Sequence, residues 1–175
     1  MQNFARNNVQ LLRSLSPLSV AWVCFIFALA PTARYLLSIL RTYLSSEQIF
    51  IGGGLILVIA IARARALSFT NWLYILIPLI TGYFTFSIAE ERFHLLLFGV
   101  LGLLFMRDAR SSGVDASYAF FLGTCIGILD ELFQAVLPNR VGDIRDVVIN
   151  SIGVAWGVLL AKSLQKSSMQ KDNLG

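Results

Sequence analysis

Residues 128–157 read "ILDELFQAVLPNRVGDIRDVVINSIGVAWG", two apolar arms carrying acids and amides, joined by a Pro-Asn-Arg turn. Neither arm alternates with a period of two, so neither reads as a strand. Extended outward, each becomes an apolar run of about 20 residues, the length of a helix that crosses the hydrocarbon core of a bilayer. Ionised side chains inside such a run are costly in lipid unless they face one another or a polar cavity. The stretch therefore sets the fold, a hairpin of membrane helices, and the functional question of what gathers these polar groups.

The rest of the chain continues the pattern. Of 175 residues, 57% are hydrophobic and 14% charged, and the mean hydropathy is +0.72; soluble domains are not built that way. The expected fold is all-α, a polytopic transmembrane helical bundle of about six spans at 18–40, 49–67, 72–89, 91–107, 116–136 and 142–162. A closed barrel is disfavoured because the runs are continuously apolar. Pro31 and Arg34 interrupt the first run and "GGG" opens the second, which points to a kink or early exit in one and a tilted, thin or partly re-entrant second. The basic lead and first apolar run read as an uncleaved anchor, since further spans follow. Three units result: an N-terminal segment at 1–71 with two spans, a four-helix core at 72–163, and a polar cytoplasmic tail at 164–175, expected frayed or disordered.

With the N-terminus inside, Arg6, Arg13, Arg63, Arg65, Arg107, Arg110 and the three lysines are cytoplasmic, whereas Arg34, Arg41, Arg92, Arg140 and Arg145 lie outside. The excess of inner bases favours N-in and C-in, and a multi-pass location in a bacterial inner membrane. The same loop bases account for a net charge of +4; no basic stripe with interleaved aromatics argues for nucleic acid. Cys24 and Cys125 lie in apolar runs without CxxC spacing, as buried small hydrophobes do, and no cofactor is indicated.

In this orientation the start of the fourth span, "EERFH", the end of the fifth, "DELFQAVLP", and the start of the sixth, "GDIRDVVIN", reach one depth in the outer third of the membrane. His94, Glu131, Gln134, Arg140, Asp146 and Asn150 can then share a pocket, with Arg92 at its mouth. Glu131 and Gln134 are three apart, and Asp146 and Asn150 four apart, so each pair shares a helix face. Gly123 and Gly127 continue the first face and Gly153 and Gly157 the second, as grooves for an acyl or prenyl chain or faces for a homo-oligomer. Each residue also has a structural role open to it: Glu131 paired with His94 or Arg140, Arg140 with Asp143 or Asp146, Asn150 with backbone. Asp130 points about 100° away from Glu131, toward solvent, another helix or the interface. Glu90 and Glu91 are expected in solvent at the mouth.

These residues resemble the VanZ-like family of small bacterial membrane proteins. The resemblance rests on "ERFHLLLFGVLGLL" and on an E-x-x-Q, P-x-R, D-x-x-x-N-x-x-G-x-x-x-G order at Glu131, Gln134, Pro138, Arg140, Asp146, Asn150, Gly153 and Gly157, and covers roughly residues 72–163. The "EER" lead departs from the aspartate-lysine type expected there. The resemblance implies a cell-envelope protein, in a family named for lowered susceptibility to the glycopeptide teicoplanin, and no secure reaction.

Two main readings follow. In the first, the pocket binds an anionic lipid or lipid-linked cell-wall precursor, with Arg140 on phosphate, Gln134 and Asn150 hydrogen bonding, and Arg92 assisting. In the second, the chain is an intramembrane hydrolase or transferase with Glu131 as base, His94 as acid and Asp146 orienting the histidine. A divalent metal on Glu131, Asp146 and His94 is the weaker variant, because one histidine and no spaced ligand motif are present. A proton-coupled transporter is disfavoured, since no matching polar set lies in the inner half.

Overall fold

The computed structural model describes residues 7, 10–64, 67–86, 89–138 and 140–172. Arg6 and Arg65, and the side chains of Arg34, Glu90 and Lys171, used above for orientation and for the mouth, lie outside the described residues. After a short helical stretch ending at Arg13, the chain forms α1 (Pro17–Leu40), α2 (Ser46–Ala64), α3 (Phe69–Thr85), α4 (Ala89–Ser111), α5 (Ala116–Val136) and α6 (Ile144–Asp172).

Local chemistry explains the helix starts. Ser16, Ser68 and Asp115 are N-caps whose side chains accept from the N–H groups of Ser19, Asn71 and Ser117, and Pro17 needs no donor partner at the first position. The Ser117 N–H holds the exposed Asp115 carboxyl below its ordinary pKa. Gly113, at φ 68°, makes the turn that separates α4 from α5.

Two expectations change. α1 runs through Pro31 as one helix, as a kink would allow, but α2 is a continuous helix through its three glycines, with no re-entrant loop. The tail is helical as far as Asp172, because residues 158–172 contain no Gly or Pro and are rich in Leu, Lys and Gln. Among the described residues, three helices are long and apolar enough to cross a membrane, at Ser46–Arg63, Ala116–Val136 and Ile144–Lys166, and the apolar part of α1, Pro17–Ala33, is shorter.

The core is the crossing of α4 with α6, and glycine makes it close. A Cβ on Gly157 would overlap the Gly99 carbonyl oxygen, one on Gly102 the Val154 carbonyl oxygen, and one on Gly153 would lie 2.8 Å from the Leu95 oxygen. Gly123 and Gly127 of α5 are as close to the side chains of Val154 and Asn150, where a Cβ would stand at 2.6 and 2.9 Å. The glycine lines expected to form a chain groove or a self-association face are taken up by packing inside the chain. Phe98, Leu101, Phe105 and Val154 fill the space around them.

Hydrogen bonds donated by two indoles and accepted by one carboxylate pin the outer helices to this pair. Trp22 Nε1 donates to Leu97 O at 3.0 Å and joins α1 to α4; Trp156 Nε1 donates to Tyr74 O at 2.7 Å and joins α6 to α3. Buried Asp108 accepts from the Ser16 N–H at 2.9 Å and the Ser19 hydroxyl at 2.5 Å. Asp108→Ala should cost about 1–3 kcal/mol by leaving both donors without their acceptor, read as a lower unfolding midpoint in detergent with the helix content below the transition unchanged.

Candidate functional site

The start of α4, the end of α5 and the start of α6 meet at one end of the bundle, and their polar side chains form a buried cluster. On α4, His94 follows the first turn, is mostly buried and lies parallel to Phe98, one turn on. Its Nδ1 is 2.8 Å from Asn150 Oδ1 of α6, within hydrogen-bond distance, and 3.8 Å from Glu131 Oε1 of α5. Gln134, one turn beyond the acids on α5, donates through Nε2 to Asp130 Oδ2 at 2.9 Å and to Glu131 Oε1 at 3.2 Å. One amide thus holds two carboxylates side by side, with the spacings i to i+4 and i to i+3 that put side chains on one helical face.

The turn between α5 and α6 closes over Glu131. A Cβ on Gly142 would overlap the Glu131 carbonyl oxygen and come within 2.9 Å of Ala135 Cβ, so only glycine lets this loop lie on α5. That approach brings the Asp143 N–H to Glu131 Oε2 at 3.1 Å. Arg140, in the same turn, donates through Nε to Ala30 O of α1 at 2.8 Å. The sequence suggests Glu131, Asp143 or Asp146 as its intramolecular partner; the bond to α1 comes only from the fold.

A cavity of about 450 Å³ runs from this cluster along α1. Its polar end is His94, Asp130, Gln134 and Arg140, and its length is apolar, with Phe25, Leu29, Leu36, Leu37 and Leu40 of α1 and Ile49 of α2 among its walls. The first two helices, which carried no motif, therefore build the groove that the glycine lines were expected to supply.

Of the residues singled out from sequence, the fold brings together His94, Glu131, Gln134 and Asn150, and sets Arg140 at the edge. Asp146 is half-buried, and the partner of the His94 ring is Asn150, one helical turn deeper. Arg92 is not part of the cluster. It is 6% exposed, donates to Phe86 O at 2.6 Å and Tyr83 O at 3.1 Å, and lies over the Tyr83 and Phe50 rings. Glu91, expected in solvent, is 4% exposed and pairs with Arg145 at 3.0 Å, bridging the starts of α4 and α6.

Asp130 is the residue sequence reasoning placed elsewhere. It is 2% exposed and shares Gln134 with Glu131; the signal that could have found it is its four-residue spacing to Gln134. Asp130 Oδ1 and Asn150 Nδ2, both buried, have no hydrogen-bond partner among the described residues.

No curated protein and no solved structure matches the chain significantly. The family model described as VanZ/LLP1 matches residues 17–165, which takes in all of α1 to α5 and most of α6, including the helices that build the apolar groove. On that match the chain belongs to the VanZ/LLP1 family.

Proposed function

We propose that this chain is a multi-pass protein of the bacterial inner membrane that binds an anionic lipid or lipid-linked cell-wall precursor. Family membership and three long apolar helices support a membrane protein. The further reading of six spans, N-in and C-in, rests on the inner excess of basic residues and turns the polar cluster outward.

One observation carries the functional reading: the cavity is apolar along α1 and polar at a single end, where Arg140, His94, Gln134 and Asp130 converge. An amphiphile with one charged head and a long chain matches that division. Arg140 would meet phosphate, Gln134 would hydrogen-bond the head group, and the chain would lie against Phe25, Leu29 and Leu36.

Arg140→Ala should abolish co-purification of an anionic lipid, measured by mass spectrometry of the detergent-solubilised protein at matched folding. Lipid content equal to wild type would overturn the reading. Proximity of His94 to Glu131, 3.8 Å, favours a second reading, hydrolysis or transfer on the same head group by acid and base. Glu131→Gln separates the two: a binder keeps its lipid and leaves envelope lipid pools unchanged, whereas an enzyme loses a product that only the wild type makes.

A further inference from the structure

We propose that His94, Asp130 and Glu131 bind one divalent transition-metal ion, Mn²⁺ or Zn²⁺, in the polar end of the groove. Each offers one ligand atom, and the three atoms lie within 4.8 Å of one another. Ligands about 2.1 Å from a shared tetrahedral ion stand about 3.4 Å apart, so side-chain rotations that close the largest gap by about 1.4 Å complete the set. All three residues are buried, at 8%, 2% and 4% exposure.

A second observation, independent of the clustering, points to a ligand. Asp130 Oδ1 is buried with no hydrogen-bond partner among the described residues, and a buried carboxylate oxygen without a donor is costly. A cation gives that oxygen its partner. The surroundings fit as well. Asn150 holds the His94 ring at Nδ1, and Gln134 fixes both carboxylates; metal-binding side chains are oriented by partners of this kind.

Charge points the same way. Two buried carboxylates share the Gln134 amide with half-buried Asp146 in electrostatic reach of both, and Arg140 lies at their end of the groove. A dication offsets the remaining negative charge. One imidazole among carboxylates suits Zn²⁺ or Mn²⁺ better than Mg²⁺ or Ca²⁺, which prefer oxygen ligands alone.

This site shares His94 and Asp130 with the polar end of the groove, but it stands whether or not a lipid binds there. Only one consequence depends on both: an ion beside the groove would take an anionic head-group oxygen.

The test uses full-length protein in detergent, stripped with chelator and dialysed, then titrated with Mn²⁺ followed by paramagnetic resonance and with Zn²⁺ followed by calorimetry. Wild type should bind about one ion per chain, and Asp130→Asn and His94→Gln, which keep near-native size, should each weaken binding by about tenfold or more. Glu47→Gln, remote from the cluster, should bind as wild type does. A wild type that binds neither ion, or binding unchanged in both cluster variants, overturns the proposal in favour of a proton shared between Asp130 and Glu131. Should the cluster variants fail to fold, the wild-type titration decides alone. Lipid measured on the same samples keeps the two ideas apart: lipid lost in Arg140→Ala with metal retained supports both, and metal absent with lipid present removes only this one.

Discussion

Gly157→Ala should unfold the protein or leave it barely stable, whereas Gly52→Ala, the same change in another helix, should be neutral or slightly stabilising. A methyl at position 157 would overlap the Gly99 carbonyl oxygen and approach Leu103 N at 2.7 Å, and both are backbone atoms that cannot rotate away. The helices must move apart, and every contact along the α4 and α6 crossing loosens with them. Overpacking of this kind costs about 3 kcal/mol, a large part of a domain's total stability. At Gly52 the added Cβ meets nothing within 4 Å, and alanine in a helix is favoured over glycine by up to about 1 kcal/mol. The check is the amount of monodisperse protein after detergent extraction and its thermal midpoint. Equal midpoints for the two variants would mean that α4 and α6 do not cross closely at glycine.

Arg92→Ala should produce the other large loss, of stability and not of ligand. Arg92 is the buried link between α3 and α4: its guanidinium caps the carbonyls of Tyr83 and Phe86 and lies over two aromatic rings, with Glu47 of α2 3.7 Å away. Each hydrogen bond from a charged group contributes about 1.5–3 kcal/mol, so losing the two should cost about 3–6 kcal/mol. Lipid and metal content per folded molecule should stay at wild-type levels. A variant of normal midpoint that had lost its lipid would instead return Arg92 to the mouth of the pocket, where the sequence alone had placed it.

The two residues show why helix-by-helix reading locates some side chains and misplaces others. Both Arg92 and His94 stand at the start of an apolar run, two residues apart and therefore on different faces. Sequence gives their depth and their angular separation, but not which neighbour each face meets. His94 faces α5 and α6, and Arg92 faces α2 and α3. The same limit applied to Asp130 and Glu131. Their 100° separation is real, yet Gln134 is long enough to reach both from one turn away, and helices pack on either side.

Composition and hydrophobic period determined that this is a helical membrane chain, and roughly where each helix starts and ends, because the bilayer fixes the length and composition of what can cross it. The order of polar residues on α5 and α6 also determined that Glu131, Gln134 and Asn150 would approach His94, since a hairpin with a short turn returns to the same depth. Only the tertiary structure decided how the glycines are used and where the groove lies. A small residue permits close approach without naming the partner, and here the partner is another helix of the same chain. The cavity formed instead beside α1, whose apolar side chains carry no motif and acquire a role only through the Arg140 bond to Ala30 and the packing of α1 against α4 and α5.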